Sequence, residues 1–256
     1  MCRDVARGLA HLLRHRQQQG NTRLPWSASS ARLQGAVLKH LEPRAFAESL
    51  ALRDGDRRLV AVMIASADGR TAIDGSSSAL GHPADTTLLR ELRATAEVIL
   101  VGAGTIVAEG YGDLLDEEQR ARRVAAGRTP HPMVVTISRH LDIGDVAIAQ
   151  EDVPFVVYSE EEGDGPGEVR ILPAGTLEAV LEDLGSTAIL CEGGPKLLRQ
   201  LAASDLIDGV VLTVAPVIAG GPASGLLAGD VLPDPLKLEL VDVARADQHL
   251  FLHYSR

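Results

Sequence analysis

The chain has 256 residues, a formal net charge of −10, 45% hydrophobic residues, 23% charged residues and only 3% aromatics. That length makes one large domain or two small ones, the acidic balance argues against wide contact with nucleic-acid backbones, and the core must be aliphatic. Two cysteines, Cys2 and Cys191, cannot make a Cys-rich zinc site or a disulfide framework, and no run of about 18 apolar residues is present to span a membrane.

Residues 1–45 carry eight Lys or Arg against two acids. Residues 1–57 therefore read as a basic N-terminal extension, partly helical or disordered, ahead of an acidic body at 58–256. The extension lacks the continuous apolar stretch of a secretory signal, so the expected compartment is the reducing cytoplasm. From Arg58 on, apolar runs alternate with helical patterns. Leu59–Ala65 reads as a buried strand and runs into the polar turn Ser66-Ala67-Asp68-Gly69-Arg70, where Asp68-Gly69 suits a turn by itself. Pro83 to Arg93 reads as a helix, with Pro83 in its first turn and Leu88, Leu89 and Leu92 on one face. Glu97–Val101 is the next buried strand, followed at once by Gly102-Ala103-Gly104-Thr105.

Asp116 to Ala126 is charged and helical, and Gly127 can end it. Met133–Ile137 and Pro154–Tyr158 read as strands, the first leading into Ser138-Arg139. A hydroxyl and a guanidinium at a strand's carboxyl end can hold the 2′-phosphate that separates NADP from NAD. Val169–Leu172 is a short strand, Thr176–Leu184 a helix, and Thr187–Cys191 a strand. Cys191 sits in that apolar run as a small core residue. Glu192-Gly193-Gly194-Pro195-Lys196-Leu197 follows, with a helix from Pro195 to Ala203. Glycines let a phosphate approach the backbone, and a helix start offers free N–H groups and partial positive charge. Gly209–Ala215 is a strand. Lys237–Ala244 and Gln248–Tyr254 alternate as an antiparallel hairpin turning at Arg245–Asp247. Buried strands alternating with helices imply a three-layer α/β/α body on a mixed, mostly parallel sheet. Glycine turns after two such strands predict a shared cleft at the strands' carboxyl ends. No metal-ligand cluster, Gly-x-Ser-x-Gly elbow or Walker loop is visible.

The segments Met63–Arg70, Ala79–Asp85 with its helix, Val101–Gly112, Ile137–Arg139, Glu192–Pro195 and Ala215–Gly221, in this order, resemble the reductase domain of the riboflavin-biosynthesis pyrimidine reductases. The resemblance covers roughly Leu59 to Tyr254 and matches a stand-alone branch without a deaminase. It implies a dihydrofolate-reductase-like fold, a homodimer, and NADPH as cofactor. The substrate it implies is a small molecule of the 5-amino-6-(5-phosphoribosylamino)uracil type. Direct hydride transfer to C1′ of the opened ribose imine needs no metal and no protein nucleophile. By position, the resemblance places Gly102, Gly104 and Thr105 at the cofactor with Glu109 close by, Ser138 and Arg139 at its 2′-phosphate, and Gly193, Gly194, Pro195, Lys196 and Leu197 at its pyrophosphate. Ile64 and Ala79 would line the nicotinamide side. Asp68, Ser77, Arg93 and Glu192 would meet substrate, with Asp68 and Glu192 as the catalytic carboxylates. Two alternatives remain open: a dihydrofolate or pterin reductase on the same fold, and a catalytically silent nucleotide-binding protein.

Overall fold

The apolar runs become the interior of a single mixed sheet. The computed structural model describes residues 38–256, apart from residues 51, 53–56, 113, 142, 145, 151, 173–175, 186–187 and 222–224. Among the described residues the strands are β1 (Lys39–His40), β2 (Arg58–Ser66), β3 (Val98–Gly102), β4 (Met133–Ser138) and β5 (Phe155–Ser159). They continue as β6 (Glu168–Ile171), β7 (Ala188–Cys191), β8 (Gly209–Ala215), β9 (Glu239–Ala246) and β10 (His249–Ser255). Their spatial order is β1-β9-β10-β8-β2-β7-β3-β4-β5-β6. From β8 to β6 every neighbouring pair is parallel, and β10 runs antiparallel to both β8 and β9. The central parallel strands β7, β3 and β5 are buried on both faces, which is why they lack polar alternation.

Six helices occur in the described part: α1 (Pro43–Ser49), α2 (Pro83–Thr95), α3 (Ala103–Ala108), α4 (Glu117–Ala125), α5 (Leu177–Asp183) and α6 (Pro195–Ala203). Val180 and Leu181 of α5 and Leu197, Leu198 and Leu201 of α6 pack on one face with Leu59, Leu100, Ile189 and Tyr158. Phe46 of α1 and Leu88 and Leu92 of α2 cover the other face over Val60, Leu190, Val211 and Phe251. Ile106 of α3, with Tyr111, Leu114 and Ile148, extends that second layer over β3–β5. The three-layer arrangement and its closing hairpin are as expected.

Local chemistry fixes the helix starts. His82 caps α2, its Nδ1 accepting from the Ala84 N–H, with Pro83 in the first turn. Asp116 and Gln119 close a capping box on α4, and Gly127, at φ 76°, follows its end. The hairpin turns two residues later than its sequence pattern suggests, after Ala246, with Asp247 in the left-handed region at φ 49°. Asp is tolerated there because its short polar side chain bonds locally.

Two features depart from expectation. The compact body begins at Leu38, so residues assigned to the basic extension belong to it: β1 pairs with β9, and Leu41, Phe46, Leu50 and Leu52 are fully buried. Charge marks the basic stretch, and charge does not report burial. The remaining extension, residues 1–37, lies outside the described residues. Second, the glycine run after β3 is no loop. Gly102 ends the strand and α3 starts at Ala103.

Candidate active site

Parallel strands place their following turns on one edge of the sheet, and a crevice opens there. Cys191 of β7 pairs with Ala61 of β2 and Leu100 of β3, so Glu192 and Gly193 emerge between those two strands. The Glu192 N–H donates to the Leu100 carbonyl at 3.0 Å and the Gly102 N–H to the Gly193 carbonyl at 2.7 Å. The two glycine turns are therefore joined. A cleft of about 810 Å³ runs along this edge, lined by Ile64 of β2, Ser77, Gly104, Thr105, Glu109, Gly194 and Pro195, and by Asp85, Leu88, Leu89 and Arg93 along one side of α2.

Space tells against a side chain at three of these glycines, Gly194, Gly193 and Gly102, and not at Gly104. A Cβ on Gly194 would lie 2.5 Å from Thr105 Oγ1, and one on Gly193, at φ 84°, would lie 2.8 Å from the Met63 sulfur. A Cβ on Gly102 would press on the Gly194 nitrogen at 3.3 Å. Nothing lies within 4 Å of the position a Cβ on Gly104 would take. This leaves exposed backbone at the start of α6, where free N–H groups and the helix dipole favour an anion. These residues fit the pyrophosphate of a dinucleotide. Lys196 is exposed in the first turn of α6, whereas the Leu197 side chain is buried in the core, so only its backbone is available to a ligand.

The expected substrate residues divide. Arg93 and Glu192 come together as a bidentate pair, Nε to Oε1 and Nη2 to Oε2, both 2.7 Å, with side chains only 12% and 3% exposed. The Tyr111 hydroxyl donates to Glu192 Oε2 at 2.5 Å, and the guanidinium lies 5.3 Å from the Tyr111 ring centroid. Burial alone would lower the Arg93 pKa, but the Glu192 carboxylate outweighs it and holds Arg93 above its ordinary value. Burial, then Glu192, raises Tyr111 well above the usual phenol range, so its hydroxyl stays a donor. Ser77 donates from both N–H and hydroxyl to Glu109 Oε1, at 3.2 and 3.1 Å, tying the segment after β2 to the end of α3 across the mouth of the cleft.

Asp68 does not line the cleft. Its carboxylate accepts from Ser66 Oγ (2.6 Å) and from the N–H groups of Ala219 (3.0 Å) and Gly220 (2.8 Å). These bonds, Ser66 first, hold its pKa well below the ordinary carboxylate range. Asp68 thus fastens the segment after β8; of the two carboxylates expected to be catalytic, Asp68 and Glu192, Glu192 lines the cleft. Ala79 is exposed in a short 3₁₀ turn away from the lining. Ser138 and Arg139 lie beyond the lining at the end of β4. The register Gly102↔Ile137 sets Ser138 beside the start of α3, and Arg139 is exposed there.

The cleft also holds Asp85, Tyr111 and Thr71, and Thr213 bonds Asp85, residues with no motif of their own in the sequence. Asp85 is half-buried on the cleft wall and accepts from Thr213 Oγ1 at 2.6 Å. Burial raises its pKa. Helical spacing carried a signal: Asp85, Leu88, Leu89 and Arg93 stand at i, i+3, i+4 and i+8, one face of a helix whose end was assigned to substrate. Cys191, fully buried beneath the turn, is pushed up to about 12 by burial and is a packing residue.

Comparison with known proteins agrees with this arrangement. The family model described as the RibD C-terminal domain matches residues 57–252. The 2,5-diamino-6-ribosylamino-4(3H)-pyrimidinone 5′-phosphate reductase of Methanothermobacter thermautotrophicus is 28% identical over 206 residues, covering 73% of this chain and 93% of that protein. The riboflavin biosynthesis protein RibD of Mycobacterium tuberculosis is 28% identical over 163 residues; the match spans 63% of this chain but only 42% of that longer protein. A crystal structure of a pyrimidine reductase-like protein from Corynebacterium diphtheriae superposes with a TM-score of 0.68 at 26% identity, covering 78% of this chain and 91% of that one. The deaminase/reductase of Thermotoga maritima, at 22% identity and a TM-score of 0.62, shares the fold over 78% of this chain and 56% of its own.

Proposed function

The chain belongs to the RibD C-terminal domain family, and we propose that it is an NADPH-dependent reductase of a ribosylaminopyrimidine 5′-phosphate in riboflavin biosynthesis. The observation that carries this reading is that the end of β3 with the start of α3 and the turn Gly193–Pro195 are joined by the Gly102 N–H to Gly193 carbonyl bond, and that Gly104, Thr105, Gly194 and Pro195 open on the same cleft as a row of fixed polar side chains. Gly102, Gly104 and Thr105 would hold the nucleotide on one side and Gly193, Gly194, Pro195 and the backbone of Lys196 its pyrophosphate on the other. Ser138 and Arg139 would take the 2′-phosphate and so select NADPH over NADH. When bound, the cofactor supplies a hydride.

The chain's own residues prepare the electrophile. In the ring-opened form of the substrate, C1′ is joined to the pyrimidine nitrogen as an imine. Protonation gives an iminium, and a hydride added to its carbon yields the ribitylamine with no bond to the protein. Among the described residues that line the cleft, Asp85, Glu109 and Glu192 are acidic and Arg93 is the one basic side chain. That excess of carboxyl groups favours the cationic iminium over the neutral imine. Glu192 is already engaged by Arg93 and Tyr111, so it sets the shape and potential of the site and serves as no proton donor. The Ser77–Glu109 bonds narrow the mouth and limit water.

The test is direct. The purified chain is titrated with NADPH and with NADH by fluorescence, then given the ribosylaminopyrimidine phosphate while NADPH oxidation is followed and the ribityl product identified by mass spectrometry. Binding of NADPH with no oxidation on any ribosylaminopyrimidine would leave a silent nucleotide binder and refute the reading. A cytoplasmic homodimer accompanies it. Leu240 and Val241, in the part of β9 that β1 does not pair, are more than half exposed, and sedimentation would report the dimer. No helix among the described residues is long and apolar enough to cross a membrane.

A further inference from the structure

α4 and the turn after it grip the last turns of α2 in two ways. Gln119 Nε2 donates to Glu91 Oε1 at 2.9 Å, and Arg122 Nη2 reaches both Glu91 oxygens at 2.8 and 2.9 Å. At the carbonyl end of the same helix, Arg123 Nη1 donates to the Ala94 carbonyl at 3.1 Å and to the Ala96 carbonyl, while its Nε donates to the Thr129 carbonyl at 3.0 Å. Arg128 Nη1 donates to the Thr95 carbonyl at 2.6 Å. Ala94 and Thr95 end α2 and Ala96 caps it, a place where carbonyls lack intrahelical partners. Two guanidinium groups thus close three successive carbonyls, and the helix dipole favours cations there. Arg123 is only 2% exposed. Burial, then the neighbouring Arg128, brings its pKa down to about 10, so the buried group is still charged at neutral pH. Burying a charge is costly. What the guanidinium adds is a rigid fork that fixes its acceptors in direction as well as in distance.

The helix end held in this way carries Arg93, whose guanidinium holds both oxygens of Glu192 at the cleft. A shift of the last turn of α2 therefore shifts the carboxylate that shapes the substrate side. We propose that Arg123 is a positioning residue of the reaction: by fixing the Ala94 and Ala96 carbonyls it sets where Arg93 holds Glu192 against the substrate. This rests on the reductase reading above and adds to that site a residue outside the cleft lining. The cofactor side stands on other elements, with Gly104 and Thr105 on α3 and Gly194 and Pro195 at the start of α6. Loss of the fork should therefore disturb substrate far more than cofactor. A misplacement of roughly 1 Å caused far from the chemistry can cost about a hundredfold in rate.

The experiment uses the full chain and Arg123→Lys, which keeps the charge but replaces the fork by a single ammonium. Kinetics on the ribosylaminopyrimidine 5′-phosphate with saturating NADPH are measured well below each protein's melting temperature. The expected result is a kcat/KM lowered by about tenfold or more, with an NADPH Kd, read by fluorescence titration, within about twofold of the unaltered chain. An Arg93→Met background cuts the link between α2 and Glu192, and there Arg123→Lys should cost about twofold or less, because coupled residues do not act additively. If Arg123→Lys does not fold, the same measurements on Arg128→Met, which frees only the Thr95 carbonyl, decide. Equal losses in kcat/KM and in NADPH affinity would mark a general structural role and overturn the assignment. So would a loss that persists undiminished in the Arg93→Met background, or no loss at all; each of these leaves the reductase reading standing. Absence of turnover by the unaltered chain would instead bring down the reductase reading, and the role of Arg123 with it.

Discussion

Removing Arg93 strands a buried charge. In Arg93→Ala the Glu192 side chain, 3% exposed, loses both guanidinium bonds and keeps only the Tyr111 hydroxyl. Breaking one side of a buried pair costs about 3–5 kcal/mol, because the remaining charge stays desolvated. For a protein of this size each kcal/mol moves the melting temperature by roughly 2–4 °C, so a fall of roughly 6–20 °C is expected. Glu192→Gln alone leaves Arg93 buried without a counter-charge and should also destabilise. The double variant removes both charges, and its loss should be smaller than the sum of the two single losses by more than about 1 kcal/mol. Thermal or urea unfolding of the four proteins, followed by circular dichroism, measures this coupling. If the single losses simply add, within about 0.5 kcal/mol, Arg93 and Glu192 act independently and the account of Glu192 as a positioning group falls.

Other expectations concern the cleft and its supports. Gly194→Ala drives a Cβ to within 2.5 Å of Thr105 Oγ1, and fluorescence titration should show NADPH affinity falling by about tenfold or more, the effect of some 1.4 kcal/mol; unchanged affinity would remove the turn from the cofactor seat. The Asp68 carboxylate is held low by Ser66 and the Ala219 and Gly220 amides. Its folded pKa lies below the unfolded value of about 3.9, so its stabilising contribution is present above that pH and is lost as pH falls through the lower folded value. Asp68→Asn should therefore speed amide exchange at Ala219 and Gly220 at neutral pH, with the difference from the unaltered chain shrinking in acid. Native protein treated with iodoacetamide should leave Cys191 unmodified by peptide mapping, since burial pushes its thiol up to about 12; labelling without unfolding would contradict its buried place at the end of β7.

Patterns set by near neighbours were legible in the chain. Continuous apolar runs at β2, β3 and β7 gave a parallel sheet with both faces covered, and Pro83 with Leu88 and Leu92 gave α2. Glycines following two buried strands gave a cleft at the right edge. These are matters of residue type and period, and burial enforces them wherever the strand ends up. What the chain could not yield was who meets whom. Arg93 finds Glu192 across 99 residues, Thr213 finds Asp85 across 128, and Gly220 finds Asp68 across 152. Each carboxylate is an acceptor in need of donors, and its sequence neighbourhood does not say which ones arrive. Asp68 and Glu192 therefore look like free acids in the sequence, although the fold fills both with donors from distant elements. In the same way β1 and α1 are hidden within a basic stretch, because the pairing that buries Leu41 and Phe46 is supplied by β9, roughly 200 residues further along the chain. Strand order and helix packing, which are long-range and cooperative, made those assignments.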